Sequence, residues 1–263
     1  IFGMRTADGI ISSAVVFIVS SPSAREKVRV RAMHFDKLHI IKVAGGKETP
    51  QTDFVIRETE VVIKIDGKVH RRLTCLAEHL EELALGYLFD EGIASPEDVD
   101  IEVDGNTIAV SRNRKAKACK PSVIEYDLKV IGSQILTWAE ELNTSCPLHI
   151  KTGGTHIVGI VHGDIMFFVE DISRHCAIDK AIGIALRSGY EMSDCVIVTS
   201  CRQTISAMKK EITAGFPIVV TIAAPTTLAV KEATDYGVTL VGFVRGGQFN
   251  IYSHPHRIVM GSR

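Results

Sequence analysis

Two patterns of apolar and polar positions divide the chain. Between residues 36 and 112, short alternating or β-branched runs surround a single stretch with helical spacing. The runs in VIRETEVVIKIDGKVHRRLTCL (55–76) flank Asp66-Gly67, and those in VDIEVDGNTIAVSR (99–112) flank Asp104-Gly105. An Asp-Gly step between two such runs predicts a tight hairpin. The spacing of Leu76, Leu80, Leu83, Tyr87 and Leu88 predicts a helix over 76–93, with Glu78, Glu81 and Glu82 on a solvated face and Gly92 as its stop. A second amphipathic helix is expected over 125–145, with Ile131, Ile135, Trp138 and Leu142 on its buried side. A hairpin about His162-Gly163-Asp164 comes next. Helices over 176–190, 204–216 and 226–237 then alternate with strands over 195–200, 217–224 and 238–244, the last read as the final core strand. Such alternation with short connections predicts right-handed crossovers onto a parallel sheet. The expected fold class is α/β: a three-layer core over 125–263 beside a smaller N-terminal β-containing α+β region over 36–124.

Residues 1–35 form an extension to this plan. The chain opens with Ile1, and Met33 offers an alternative start. The apolar run over 9–21 is shorter than a bilayer requires, follows a single arginine and lacks a small-residue cleavage site, so it reads as an added strand or a start-site artefact rather than a targeting segment.

Composition narrows the function classes. A formal net charge of −1 argues against a general nucleic-acid coat. The six cysteines have no CxxC pair or regular short spacing, which points away from a zinc module or disulfide framework and towards a reducing cytoplasm.

Four polar clusters interrupt the apolar second half: KTGGTH (151–156), EDISRHCAIDK (170–180), TSCRQT (199–204) and FVRGGQFNIYSHP (243–255). Each adjoins a β-like run, and α/β folds build ligand sites at strand ends. Ser200, Cys201 and Arg202 stand between a strand and a helix, where backbone N–H groups face anions. Pro225, Thr226 and Thr227 repeat that placement. Arg245, Gly246 and Gly247 offer a guanidinium and a backbone nest after the last strand, and Gly153 and Gly154 offer the same before the first hairpin. Asp171, Arg174, His175 and Asp179 have two readings, as part of this lining or as a structural ion-pair network. Cys176 and Cys195 read as core cysteines.

One further segment stands apart. In RNRKAKACKPS (112–122), five basic residues crowd around Cys119. Cationic surroundings favour a thiolate, hence a nucleophile; the bland reading is a solvated basic loop that happens to hold a cysteine. Two other enzyme readings fail. His79-Leu80-Glu81 is half of a zinc-deaminase motif with no PCxxC half, and Cys201 with His175 lacks any signal that fixes a hydrolase geometry.

The ordered series TGGTH, EDISRHCAIDKAIG, TSCRQT, PTTLAV and GFVRGGQFNIYSHPHRI, preceded by HLEELALGYLFDEGI, resembles the FdhD/NarQ family of formate dehydrogenase accessory sulfurtransferases over roughly residues 50–258. The resemblance implies a cytidine-deaminase-like core without zinc, and a homodimer. It implies transfer of persulfide sulfur from a cysteine desulfurase to the molybdenum bis(guanine dinucleotide) cofactor of apo-formate dehydrogenase, with GDP-like nucleotides as mimics of the bound acceptor. Phe243, Val244, Arg245, Gly246, Gly247 and Gln248 match the family's cofactor-binding loop. With the strand-end residues Gly153, Gly154, His156, Asp171, Arg174, His175, Ser200 and Arg202 they make the expected binding set. Cys119 occupies the region of the persulfide cysteine, although ACKPS departs from the glycine-rich, two-cysteine pattern of the family. Neither a metal site, a nucleic acid nor a membrane is implied. The rival readings are a cofactor carrier or chaperone without chemistry, and a nucleotide-handling enzyme using the same pocket.

Overall fold

The computed structural model describes residues 34–113 and 120–261, together with the backbone of Phe17–Val19. That short segment, β1, lies inside the apolar run over 9–21 and pairs as an antiparallel edge strand with the core sheet. Strands β2 (Phe35–Ala44) and β3 (Lys47–Ile56) form a long antiparallel ribbon turning at Gly45-Gly46, both with positive φ. The two expected Asp-Gly hairpins follow. The first is β4 (Thr59–Ile65) with β5 (Lys68–Cys75). After helix α1 (Leu80–Asp90) comes the second, β6 (Val99–Asp104) with β7 (Thr107–Arg112). They join through a parallel β4–β7 pairing into one four-stranded sheet, order β5-β4-β7-β6. Its inward residues Val61, Ile63, Ile108 and Val110 pack on Leu80, Leu83, Ala84 and Leu88 of α1.

Strand β8 (Val130–Ile131) leads into α2 (Gly132–Thr144), and the short helix α3 (Pro147–Thr152) precedes the core hairpin of β9 (His156–His162) and β10 (Ile165–Asp171). Then come α4 (Arg174–Arg187), β11 (Cys195–Thr199), α5 (Ile205–Ala214), β12 (Ile218–Thr221), α6 (Thr227–Asp235), β13 (Thr239–Arg245), β14 (Gln248–Ile251) and β15 (Ile258–Val259). The core sheet runs β1-β10-β9-β11-β12-β13-β14. Strict alternation assigns its two faces, as a period of two requires. Val158, Ile160, Ile197, Val219 and Leu240 face α4, α5 and α6, whereas Ile157, Val161, Val196, Val198 and Val220 face α2. Three layers result.

Several expectations need correcting. Only β11, β12 and β13 run parallel, so the sheet is mixed. Strand 238–244 is not the last of the core, because β14 returns antiparallel along β13 and closes that edge. Ile131 is exposed in β8 rather than buried in α2, since Val130 and Ile131 pair with Ile258 and Val259 and the helix begins only at Gly132. Helix α1 has no solvated acidic face. It is buried almost all round between the four-stranded sheet and α4, and the three glutamates are half-buried in ion pairs, Glu78, just before the helix, with His34 at 2.5 Å and Glu81 and Glu82 with Arg187 at 2.6 and 2.7 Å.

The α1–α4 crossing holds the N-terminal region on the core. A Cβ added at Gly86 would lie 1.8 Å from the Asp179 carbonyl oxygen, and one at Gly183 would lie 2.0 Å from that of Glu82. Only glycine permits so close an approach of two helix backbones. Beside the crossing, Lys210 of α5 reaches Asp90 of α1 at 2.8 Å and Asp179 of α4 at 2.9 Å. Burial, then the neighbouring Asp179 carboxylate, holds Asp90 well above the usual carboxylate range.

Candidate anion site at the sheet rim

Strands β11, β12 and β13 end on the same side of the core, where antiparallel β9 begins and β10 ends. The loops there are stitched to one another. Ser200 N donates to Ile157 O at 2.9 Å, and Ile157 N donates to Ser200 Oγ at 2.9 Å. Gln203 N donates to Ala224 O at 3.1 Å, and Phe243 N to Ala223 O at 3.0 Å. The result is a continuous rim from the start of β9 to the end of β13.

Three helices of nine or more residues start at this rim. Ser173 caps α4, its Oγ accepting from Cys176 N at 3.4 Å, and Thr226 caps α6 by accepting from Ala229 N at 3.4 Å. Thr204 precedes α5. Unpaired N–H groups and the positive end of the dipole make such starts attractive to anions. Arg174 opens α4, and its Nε is buried with no hydrogen-bond partner among the described residues. Half-buried His156 has Arg174, His149 and Arg202 for electrostatic neighbours, opposed by the Asp171 carboxylate. Burial first, then Arg174, holds His156 below its ordinary range, and the same two causes in the same order act on His175. His175 Nε2 lies 3.0 Å from Ser206 Oγ at the start of α5. Cations thus crowd one another here, a field that an anion would relieve.

Gly153 and Gly154 lead into His156 but do not form a free nest. Gly153 ends α3 in the left-handed region, and Gly154 packs so closely that an added Cβ would meet Ile56 at 2.7 Å. The segment is anchored by Glu170, which accepts from His149 N at 2.6 Å and from Thr155 Oγ1 at 3.1 Å.

Asp171 must be removed from the ligand-contacting set. Its side chain is fully buried, pairs with equally buried Lys180 at 2.6 Å, and accepts from Ser173 N at 2.8 Å and Leu76 N at 3.2 Å. The structural ion-pair reading therefore holds for Asp171 and Asp179, whereas Arg174 and His175 make no ion pair among the described residues. The glycine nest at 246–247 also needs revision. Gly246 and Gly247, with φ of 60° and 73°, form the two-residue turn of the β13–β14 hairpin, a geometry that requires positive φ at both positions.

That turn borders a groove of about 400 Å³ between the hairpin and α2. Val244, Arg245, Gly246 and Gly247 line one side, and Thr137, Glu140 and Asn143 the other. The groove residues of α2 carried no motif and were missed by pattern reading. A β-bulge at the end of β13 shapes the opening. The register shifts between Gly242 and Arg245, Phe243 takes a left-handed φ of 56°, and the Arg245 guanidinium lies over its ring at 5.4 Å. Val244 is thereby turned into the core, and Arg245 and Gln248 remain exposed. The rim thus has two parts, a cationic one around Arg174, His156 and Arg202 and a grooved one at Arg245, joined through the β12–α6 loop.

The thiols are equally defined. Cys201 is fully buried and pushed up to about 12 by burial, so it makes no nucleophile with His175. Cys119 lies outside the described residues, as do Arg114, Lys115 and Lys117 around it. Among the described residues, no group of three or more His, Cys, Asp or Glu side chains is disposed to hold a metal ion, and no helix is long and apolar enough to cross a membrane.

Residues 105–259 match the model of the FdhD/NarQ family. A protein of Methanothermobacter thermautotrophicus named sulfur carrier protein FdhD is 33% identical over 228 residues, covering 78% of this chain and 91% of the relative. Its namesake from Bordetella bronchiseptica is 32% identical over 256 residues, covering 83% and 93%. The crystal structure of a candidate formate dehydrogenase accessory protein from Desulfotalea psychrophila superposes with a TM-score of 0.76 at 25% identity, over 86% of this chain and all of that one. With the motifs in order along the rim and the match running through both regions of the fold, the chain belongs to the FdhD/NarQ family.

Proposed function

We propose that this protein is a sulfurtransferase accessory factor of the cytoplasm. It takes persulfide sulfur from a cysteine desulfurase and passes it to the molybdenum bis(guanine dinucleotide) cofactor destined for apo-formate dehydrogenase. The observation that carries the ligand half is the buried Arg174 Nε, without an acceptor among the described residues and set where α4 and α5 begin beside His156 and Arg202. A buried guanidinium nitrogen is costly when unpaired, and a phosphate oxygen satisfies it. The groove at Arg245 suits the rest of the same ligand. Guanine presents an N1–H and a 2-amino group on one edge, and Glu140 and Asn143 supply acceptors there. Gly153 and Gly154 position His156, and Ser200 holds the start of β9 beside it. The deaminase-like core order and the homodimer belong to this same reading; the ribbon of β2 and β3, with Leu38, Ile41, Val43 and Val55 exposed, supports the second.

The chemical half rests on Cys119. Its thiolate attacks the outer sulfur of the donor persulfide; the new S–S bond forms as the old one breaks, and the donor cysteine leaves as thiolate. The basic residues around Cys119 favour the thiolate and the approach of acidic or phosphate-bearing partners. The acceptor is cargo, and the described residues bind and orient it rather than react with it.

A second reading, a carrier that binds cofactor and apo-enzyme without transfer chemistry, is favoured by one observation. The 112–122 segment has one cysteine where the family pattern has two. Incubation with a cysteine desulfurase and sulfur-labelled cysteine separates the two. The transfer reading expects label on the wild-type chain and none on Cys119→Ala, with GDP binding unchanged by calorimetry. Label on both, or on neither, contradicts it.

A further inference from the structure

A pair of thiols lies outside this site, at the junction of the N-terminal sheet with the core. Cys75 ends β5 and is fully buried, and Cys176, in the first turn of α4, is 1% exposed. Both belong to the apolar cluster that joins the four-stranded sheet to α1. The chain beside Cys75 is clamped to α4 through the next residue. Leu76 N donates to Asp171 Oδ2 at 3.2 Å, and Leu76 O accepts from Lys180 Nζ at 2.9 Å. Lys180 stands four residues after Cys176, on the same face of α4. The clamp therefore brings the end of β5 onto the first turn of α4, where both thiols lie in one buried cluster and each is a polar neighbour of the other. No other pairing of this kind is found among the described cysteines. Burial pushes up the thiols of Cys146, Cys195 and Cys201, the last two to about 12.

We propose that Cys75 and Cys176 are a peroxide-sensitive pair that closes to a disulfide between β5 and α4. The pair is asymmetric, which sets the order of the two steps. The neighbouring Cys176 thiol, then Lys180, favours the Cys75 thiolate against burial and Asp171, while Cys75 and burial keep Cys176 protonated. The Cys75 thiolate attacks one oxygen of hydrogen peroxide. An S–O bond forms, the O–O bond breaks, and hydroxide leaves to become water. Cys176 then gives up its proton, and its sulfur attacks the sulfenic sulfur. The S–S bond forms as the S–O bond breaks, and the leaving hydroxide takes a proton as a second water. Two thiols lose two electrons in all, and the peroxide gains them. Peroxide is small enough to reach a buried pair through ordinary local opening. The bond would tie the N-terminal region to the turn that carries Arg174 and His175, making the junction beneath the rim responsive to oxidant.

The test uses the full chain carrying Cys119→Ala, so that the transfer reading is not tested with it. After peroxide treatment and alkylation, a non-reducing digest should hold the Cys75 and Cys176 peptides joined, two hydrogens lighter and separable by dithiothreitol. The oxidised chain should unfold at a higher denaturant midpoint than the reduced one. In Cys176→Ala the sulfenic acid on Cys75 should persist and react with dimedone. Both thiols remaining alkylatable, or separate oxidation without a cross-link, overturns the proposal. Neither result bears on Cys119, whose labelling is measured without peroxide.

Discussion

In the proposed function, Arg174 is the residue on which ligand binding depends most. Its Nε is buried without a partner among the described residues, and nearby His156 is held below its ordinary range by burial and by Arg174 itself. A charged hydrogen bond is worth roughly 1.5–3 kcal/mol, so Arg174→Ala should weaken GDP binding by about 10- to 100-fold. Calorimetry measures this, with the thermal midpoint as control for folding; unchanged affinity would remove the cationic part of the rim from the site. The places of Arg174, His156 and Arg202 at strand ends or helix starts were legible in the sequence, and the fold puts them there. Asp171 could not be separated from them, because a sequence displays charge and not burial. Only the fold shows that Lys180 and two backbone N–H groups use up that carboxylate.

At the level of elements, the α1–α4 crossing fixes where the N-terminal region sits. Gly183→Ala would bring a methyl group 2.0 Å from the Glu82 carbonyl oxygen, and backbone cannot yield there without parting the helices. The expected loss is at least about 3 kcal/mol, the upper end of overpacking effects, read as a fall in the urea midpoint. A loss below about 1 kcal/mol would mean that the helices are not so closely packed. The hairpins at Asp66-Gly67 and Asp104-Gly105 were legible because turn chemistry is local. The second buried side of α1 was not, because Ala84, Leu85 and Gly86 are buried by partners distant in sequence. Gly246-Gly247 illustrates the opposite error. Two glycines suit a nest or a hairpin turn equally, and the β14 pairing that decides between them is tertiary.

For the molecule as a whole, Glu211 gives stability a pH dependence. It is fully buried on α5, accepts from Gln203 Nε2 at 2.8 Å, and is raised by burial to about 8. Between its ordinary value and about 8 the folded chain keeps a proton that the unfolded chain has released. Stability therefore falls as pH rises through that window and levels off above it. Glu211→Gln removes the slope. In urea unfolding, the variant should gain on the wild type from about pH 5 to about pH 8, at no more than about 1.4 kcal/mol per pH unit. A constant difference across that range would show that the carboxyl is ionised in the fold.

The three-layer core and most of its strand ends were readable from periodicity, and the motifs along them placed the chain in its family. What the described residues supply is the strand-end rim to which we assign a guanine nucleotide; the chemistry proposed for it rests on Cys119. The most direct measurement is therefore mass spectrometry of the chain after incubation with a cysteine desulfurase and cysteine, with thiols trapped before digestion. A peptide over 112–122 heavier by one sulfur atom on Cys119, and returned to its original mass by a reductant, is the predicted result. Sulfane sulfur on any other cysteine, with Cys119 unmodified, would contradict the account.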